Sequence, residues 1–294
     1  MKLSVSSYSF LSYIKEGKLT QLDTVRKAAE MGFEGIEFTD LAPVFGQKPT
    51  LEEQIAYAKE IRAEAEACGI AIVGYLIGAN LYTGNAEDDA KEVARVKEQL
   101  DVAAALGAPL MRHDVCYSER IGDRVVSFDR MLPTIAANAR EITEYAATLG
   151  IRTCSENHGF IAQDSDRVEK LYNTVAHDNY GLLLDMGNFA CVDEDSAKAF
   201  SRLAPYAIHA HAKDFHIFPY GQKPEKGVRC LCNRGFRWLA GCAVGDGDIP
   251  TGQCVQILKK AGYDSWLTIE FEGSGDCIEG IAKGLSTLKG YLAE

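Results

Sequence analysis

The stretch that decides the fold is Gly150-Ile151-Arg152-Thr153-Cys154-Ser155-Glu156-Asn157-His158-Gly159. It begins as a run typical of a buried parallel strand and ends in a carboxylate, an amide, an imidazole and a glycine. Strands that are buried on both faces consist of apolar or small residues, so packing does not account for Glu-Asn-His at this end. In a barrel of parallel strands, the chemistry lies where the strands run into the following loops. The stretch therefore predicts a functional strand end.

Three other strand-like stretches end in a polar side chain in the same way. Residues 181–184, 207–210 and 266–269 lead to Asp185, His211 and Glu270. Successive members of the set Glu156, Asp185, His211 and Glu270 are separated by one strand–helix unit, with an added insertion before the last. We therefore expect these four side chains to bind one divalent metal ion. Three carboxylates and one imidazole favour Mn²⁺, with Mg²⁺, Co²⁺ and Zn²⁺ as further possibilities.

Strand and helix patterns alternate along the whole chain. Besides the 150–159 stretch, strands are predicted at residues 3–8, 33–38, 70–77, 108–111, 181–185, 208–213 and 266–271. Helices are predicted between them, and one begins with a capping box at Thr50 and Glu53. Eight such units in 294 residues predict an α/β fold, a closed (β/α)8 TIM barrel that forms a single domain over residues 1–294. No Gly-x-Gly-x-x-Gly follows the first strand, which argues against a dinucleotide-binding fold.

One long insertion, residues 215–250, interrupts the seventh unit. It contains a basic cluster in an otherwise acidic protein, made of Lys223, Lys226, Arg229, Arg234 and Arg237. Loops of this length are usually functional or disordered, and the aromatic content favours an ordered segment. We interpret the insertion as a lid and expect its arginines to face the barrel mouth; the alternative is a solvated surface insertion.

Composition limits the range of functions. The net charge of −11 argues against non-specific binding to nucleic acid and against an anionic membrane surface. No apolar run approaches the roughly 20 residues of a membrane span. Because the first predicted strand begins directly after Met1-Lys2, no signal peptide is indicated, and we expect a cytoplasmic protein.

The nine cysteines are scattered and odd in number, which favours free thiols in a reducing compartment. Cys230, Cys232 and Cys242 lie close enough in sequence for a small metal clip. Their spacing does not match a common zinc pattern, so their role stays open.

The sequence resembles the xylose isomerase-like TIM-barrel superfamily of sugar isomerases and epimerases over essentially its whole length. The resemblance is carried by Glu156-Asn157-His158-Gly159, Asp185-Met186-Gly187-Asn188-Phe189, His209-Ala210-His211-Ala212-Lys213-Asp214-Phe215, Val244-Gly245-Asp246-Gly247-Asp248-Ile249 and Ile269-Glu270-Phe271-Glu272. It implies that the four predicted ligands bind a divalent metal. It also implies that Glu156 and Glu270 handle protons, as in the ketose 3-epimerases of this superfamily.

The chain is also similar to the catalytic subunit of bacterial C-glycoside deglycosidases, which share this barrel. Those enzymes act on a 3-keto sugar together with a small β-rich subunit. Two features depart from the ketose epimerases: Asn188 stands where they have a histidine, and the insertion around Arg234 is longer than theirs. The motifs alone leave both branches open.

Both branches share proton removal from the carbon next to a sugar carbonyl, with a metal stabilising the enediolate. Glu156 and Glu270 are the predicted base and acid, and His158 is a third catalytic candidate, whose alternative is a supporting or helix-capping role. The predicted substrate-binding residues are Arg112, His113, Asn188, Lys213, His216 and Arg234.

We therefore predict a metal-dependent sugar isomerase or epimerase. The alternative is a carbon–carbon lyase on keto-C-glycosides that uses His158 as its base, and a non-catalytic sugar-binding barrel is less favoured. Metal-dependent endonucleases of the same superfamily are disfavoured by the negative charge and by only six histidines. The predicted partners are a small sugar or glycoside, with a homo-oligomer or a small β-rich subunit as possible protein partners.

Overall fold

A computed structural model describes all residues from 1 to 294. Its eight parallel barrel strands are β1 (Lys2–Ser6), β2 (Gly35–Thr39), β3 (Ala71–Ile77), β4 (Leu110–His113), β5 (Arg152–Glu156), β6 (Tyr180–Asp185), β7 (Ala207–Ala212) and β8 (Trp266–Ile269). The strands pair in chain order, and β8 pairs with β1 to close the barrel. The predicted (β/α)8 TIM barrel is thereby confirmed.

A helix of 8 to 21 residues follows each barrel strand. These helices are α1 (Gln21–Glu30), α2 (Leu51–Cys68), α3 (Ala86–Leu106), α4 (Phe128–Thr148), α5 (Ser165–Val175), α6 (Ser196–Leu203), α7 (Thr251–Lys260) and α8 (Cys277–Ala293). The capping box at Thr50 and Glu53 is present, and Gly69 and Gly107 end their helices in the left-handed conformation that favours glycine. No helix combines the length and apolar character that a membrane crossing requires.

Short elements that the sequence patterns did not indicate decorate the barrel. A 3₁₀ helix at Ser7–Phe10 and a five-residue α-helix at Leu11–Lys15 lie between β1 and α1. A hairpin of two short strands, Arg120–Ile121 and Arg124–Val125, lies between β4 and α4. These additions occur in the loops at the carboxyl ends of the strands, where they shape the barrel mouth.

An apolar layer closes the barrel interior beneath the site. Leu76, Leu110, Cys154 and Leu183 form a buried cluster separate from the main core of 70 buried residues. Side chains two positions apart on a strand point to the same face. The residues two positions further along β4, β5 and β6 are Arg112, Glu156 and Asp185. The polar residues of the site therefore lie directly above an apolar floor.

The insertion between β7 and α7 contains an antiparallel sheet. Its strands are Asp214–Ile217, Trp238–Cys242 and Cys230–Cys232, and Trp238–Cys242 is the middle one. The carboxylate of Asp214 accepts backbone hydrogen bonds from Gly245, Gly247 and Ile249, which fastens the glycine-rich turn to the start of the sheet. The insertion is thus ordered by its own sheet and by this turn.

All nine cysteines are free thiols. Five of them are buried: Cys116, Cys154, Cys191, Cys254 and Cys277. The structure contains two groups of side chains whose ligand atoms lie close enough together to bind one metal ion, and neither group contains a cysteine. The structure therefore does not support a metal clip at Cys230, Cys232 and Cys242.

Candidate metal centre

The four predicted ligands converge at the carboxyl ends of β5 to β8. The ligand atoms of Glu156, Asp185, His211 and Glu270 all lie within 4.8 Å of one another. Nδ1 of His211 is 3.7 Å from Oδ2 of Asp185, 3.7 Å from Oε2 of Glu270 and 3.9 Å from Oε1 of Glu156. These separations are too long for hydrogen bonds. They suit ligands that surround a shared cation, since an ion about 2 Å from each ligand spaces them roughly 3–4 Å apart.

Four buried polar atoms in this cluster make no hydrogen bond. They are Oδ2 of Asp185, Nδ1 and Nε2 of His211 and Oε2 of Glu270. Buried polar groups in proteins almost always have a hydrogen-bond partner, and an exception calls for an explanation such as an ion. The residues present therefore fit a divalent cation, and the donor set of oxygen and imidazole nitrogen suits a hard or borderline one.

Asn157, the amide residue that follows Glu156, holds the backbone of Asp185 in place. Its Oδ1 accepts a hydrogen bond from the backbone N–H of Asp185 at 2.8 Å, and its Nδ2 donates to the carbonyl oxygen of Asp185 at 3.0 Å. Oδ1 of Asp185 accepts from the backbone N–H groups of Gly187 and Asn188, both at 2.8 Å. Both the backbone and one oxygen of Asp185 are held in place, so that Oδ2 is directed to the cluster.

Glu37 on β2 orients His211 from outside the cluster. Its Oε2 lies 2.7 Å from Nε2 of His209 in a hydrogen bond. Its Oε1 lies 2.9 Å from Nε2 of His211, an ion-pair distance without good hydrogen-bond geometry. Burial raises the pKa of Glu37, but the two histidines outweigh it and lower the pKa to about 2. Because the carboxylate of Glu37 pairs with Nε2 of His211, Nδ1 of His211 is available to bind a metal, which is the usual arrangement of metal-binding histidines.

Glu37 was not identified from the sequence. The signal that could have found it is an acidic residue in the middle of the strand Gly35-Ile36-Glu37-Phe38, where a strand buried on both faces should be apolar. Its side chain is completely buried, as are those of Thr268 and Ser4, which continue the hydrogen-bond chain from its partner His209.

We expect Glu37→Gln to weaken metal binding by about 10- to 100-fold, the usual effect of removing a partner that orients a ligand. The amide keeps the size of the side chain but loses the charge that fixes the tautomer of His211. Titration calorimetry of the metal-free protein with Mn²⁺ measures the change. The control is Glu34→Gln, an exposed glutamate three residues earlier. Unchanged affinity in Glu37→Gln would show that Glu37 does not orient His211.

The carboxylate of Glu156 is held between the guanidinium group of Arg112 and the side-chain amide of Asn188. Its Oε2 lies 2.6 Å from Nη2 of Arg112 in an ion pair, and its Oε1 accepts a hydrogen bond from Nδ2 of Asn188 at 2.8 Å. Burial raises the pKa of Glu156, against the opposing effect of Arg112. Arg112 is itself buried and also lies 2.9 Å from Oδ1 of Asp114. Arg112 and Asn188 thus contact the cluster directly, and their role in substrate binding stays a prediction.

Glu270 is paired with Lys213. The ammonium group of Lys213 contacts Oε2 of Glu270, and it lies 3.4 Å from Oδ2 of Asp185 and 3.2 Å from Oδ1 of Asn188. Burial raises the pKa of Glu270, but Lys213 and His211 together outweigh burial and hold that pKa well below its usual range. The two glutamates of the cluster therefore have pKa values displaced in opposite directions.

His158 lies at the mouth of the barrel with its side chain 45% exposed. Its Nδ1 is 2.9 Å from Oδ1 of Asp114, which is buried and paired with Arg112. Desolvation lowers the pKa of His158, but the hydrogen bond to Asp114 and the charge of that carboxylate together outweigh it, and the pKa is raised. A buried carboxylate that orients an imidazole and leaves Nε2 free is the arrangement of a general acid or base.

A polar cavity of about 230 Å³ opens beside the cluster. Its wall includes most of the charged residues described above: Arg112, Asp114, Glu156, His158, Lys213 and Glu270. Positively charged hydrogen-bond donors and negatively charged acceptors on one concave surface suit a ligand with several hydroxyl groups.

Four predicted substrate-binding residues do not line this cavity: Asn188, which donates to Glu156, and His113, His216 and Arg234. His113 is completely buried with Nδ1 2.9 Å from the carbonyl of Asp114, and burial lowers its pKa to about 4. His216 is exposed on the first strand of the insertion. Arg234 donates to the carbonyl of Phe160 and lies 3.4 Å from Oδ2 of Asp164.

The three arginines of the insertion contact three different segments of the barrel mouth. Arg229 donates to the hydroxyl of Tyr8, a residue of the cavity wall, at 2.7 Å. Arg237 lies 3.0 Å from Asp193 in the loop after β6, and Arg234 binds the loop after β5. The insertion is therefore attached to the barrel mouth at three points, while its action as a lid stays a prediction.

A closed (β/α)8 barrel with a carboxylate–histidine cluster at the carboxyl ends of its strands has the architecture of a TIM-barrel enzyme. The sequence profile of the family described as xylose isomerase-like TIM barrel matches residues 25–291. The chain belongs to this family, which includes sugar isomerases, epimerases and dehydratases.

Individual relatives are distant. Inosose dehydratase of Yersinia enterocolitica is 27% identical over 143 residues, and the chain spans about half the length of the curated relatives it matches (47% here). Among solved structures, D-psicose 3-epimerase from Clostridium cellulolyticum H10 is 17% identical with a TM-score of 0.74 over 99% of each chain. The zinc-binding IOLI protein is 15% identical with a TM-score of 0.74, over 100% of this chain and 98% of its own. The structural likenesses show the shared fold.

Proposed function

We propose that the protein is a divalent-metal-dependent sugar isomerase or epimerase that removes the proton on the carbon next to a sugar carbonyl. The observation that carries the proposal is the position of Glu156 and Glu270, which belong both to the metal-ligating cluster and to the wall of the polar cavity. A sugar in that cavity lies within reach of both carboxylates and of Lys213. The D-psicose 3-epimerase with the same fold supports this choice.

The bound metal would polarise the carbonyl oxygen and stabilise the negative charge that develops there. Lys213 and His211 keep Glu270 ionised, so Glu270 suits the base. Glu156, with its raised pKa, suits the group that returns a proton. Pairs of titratable groups with pKa values pushed apart are typical of such assignments. Return of the proton to the opposite face of the same carbon gives epimerisation, and return to the neighbouring carbon gives isomerisation.

A second candidate is elimination, in which a leaving group departs from the carbon beside the carbanion. The observation that favours it is His158, whose free Nε2 and hydrogen bond to Asp114 suit a further acid or base at the cavity. Loss of water would make the protein a dehydratase, as the curated relatives are described. Loss of a carbon-linked aglycone would make it a keto-C-glycoside lyase.

The proposal is tested by incubating the Mn²⁺-loaded protein in deuterated water with three groups of compounds. These are free ketohexoses such as D-psicose and D-fructose, cyclic polyol ketones and 3-keto-glycosides. NMR should show deuterium on the carbon next to the carbonyl of at least one group. Absence of exchange and of turnover with all three, in protein shown to contain metal, would contradict the proposal.

The variant His158→Ala separates the two reactions. For an epimerase that uses two glutamates, turnover should fall by less than about tenfold with metal retained. A fall of more than about a hundredfold, the scale of lost acid–base catalysis, would favour elimination instead. His216→Ala is the matched control, because that histidine is exposed and outside the cavity. Metal content is measured in both variants.

A further inference from the structure

A second cavity of about 210 Å³ adjoins the polar one, and its lining is predominantly apolar. Its hydrophobic wall consists of Tyr8, Leu11, Ile14, Ala42 and Phe45. The two cavities share Tyr8, Thr39 and Asp40, so one wall of the polar cavity is also a wall of the apolar one. None of the residues of the metal-ligating cluster lines this second cavity.

Hydrogen bonds hold the loop that forms the second cavity in place. The side chain of Gln21 donates to the carbonyl of Thr39 at 2.9 Å and accepts from the backbone N–H of Ala42 at 2.9 Å. Between them, Asp40 adopts a positive φ of 38°, a conformation that is strained for a residue other than glycine. Phe45 remains 51% exposed at the rim. The cavity is therefore preformed and has an exposed aromatic edge.

Tyr8 connects the second cavity to the insertion. Its hydroxyl accepts a hydrogen bond from Arg229 at 2.7 Å, and the guanidinium of Arg229 lies over its ring at 5.6 Å from the centroid. The shared wall is thus fixed by a residue outside the barrel.

We infer that the second cavity is a subsite for one apolar ring attached to the sugar, so that the substrate is a glycoside or similar sugar derivative rather than a free ketose. The inference rests on the proposed function and specifies its substrate class. An apolar cavity of about 150 Å³ accepts benzene, so this one has room for a single ring. Because the two cavities share three residues, a ligand whose hydroxyls fill the polar cavity directs a substituent into the apolar one.

The test compares methyl and phenyl β-D-glucopyranoside as probes in calorimetric titrations of the Mn²⁺-loaded protein. The phenyl glycoside should bind at least about tenfold more tightly, from the apolar area that the ring buries. Ala42→Phe should fill the subsite and abolish this preference without changing the affinity for the methyl glycoside or for Mn²⁺. Phe45→Ala should reduce the preference and serves if Ala42→Phe does not fold. Val44→Ala is the matched control, since Val44 is 52% exposed beside Phe45 but does not line the cavity.

Equal affinities for the two glycosides in the unmodified protein would overturn the subsite while leaving the sugar site intact. A phenyl preference that survives both Ala42→Phe and Phe45→Ala would also overturn it. If neither glycoside binds while Mn²⁺ does, the deuterium-exchange experiment decides the proposed sugar function, and phenol decides the subsite separately. Phenol binding that is lost in Ala42→Phe supports an apolar binding site, and no phenol binding refutes it.

Discussion

Asp185→Asn should abolish metal binding, with the dissociation constant for Mn²⁺ rising by at least about a thousandfold, beyond the 10- to 100-fold effect of an orienting partner. The asparagine oxygen can still accept from the backbone N–H groups of Gly187 and Asn188, as Oδ1 of Asp185 does. The fold around it is therefore retained. Its amide nitrogen would then take the place of Oδ2 and direct N–H groups at the cation.

Calorimetry with Mn²⁺ gives the affinity, and thermal unfolding gives an independent measure. A ligand that binds only the folded state raises the unfolding temperature, so the increase caused by Mn²⁺ should disappear in Asp185→Asn. Asp178→Asn is the control, because Asp178 is exposed and lies before β6, at the opposite end from the cluster. Binding with unchanged affinity in Asp185→Asn would show that the metal centre lies elsewhere.

Glu270→Gln should slow the exchange of the substrate's proton with deuterated water by more than about a hundredfold. An amide cannot accept the proton, and it also leaves Lys213 without the carboxylate that it contacts. Because Glu270 belongs to the ligand cluster, exchange is measured by NMR at Mn²⁺ concentrations that saturate the variant. Metal content is determined in the same samples, so that lost metal and lost proton transfer are distinguished.

Glu272→Gln is the matched control for this variant. Glu272 lines the same cavity two residues further along but lies outside the metal-ligating cluster. Because Glu272 is not in that cluster, its exchange rate at saturating substrate should fall by far less than that of Glu270→Gln. Exchange at the unmodified rate in metal-loaded Glu270→Gln would remove Glu270 as the base and leave Glu156 and His158 to be tested.

The barrel and the four-residue cluster could be predicted because each depends on a local pattern repeated along the chain. Each of Glu156, Asp185, His211 and Glu270 follows its own strand-like run, and parallel strands in a barrel end at a common rim. Neighbouring pairing then brings them together without any further information. The same reasoning located Lys213, which follows β7 directly.

The contributions of Glu37 and Tyr8 could not be predicted in this way. Glu37 and His209 are 172 residues apart in sequence, and the residues around either one do not indicate that the two side chains form a hydrogen bond. Tyr8 and Arg229 are 221 residues apart in sequence. Arg229 belongs to the insertion, whose three-stranded sheet is separate from the barrel. The helix Leu11–Lys15 has only five residues, too few for a helical period to show in sequence. These features depend on how the closed barrel brings distant segments together.

The order of strands around the barrel divides the site between the two halves of the chain. Every predicted metal ligand comes from β5 to β8, whereas the residue that orients His211 and the walls of both cavities near Tyr8 and Asp40 come from the first two units. The halves are joined by the β1–β8 pairing, where Ser4 and Thr268 are 264 residues apart. During synthesis, the ligands can gather on the later strands only once the first half has long emerged. The substrate cavity is complete only when this contact between residues distant in sequence has formed, so catalytic competence should appear only once the barrel has closed.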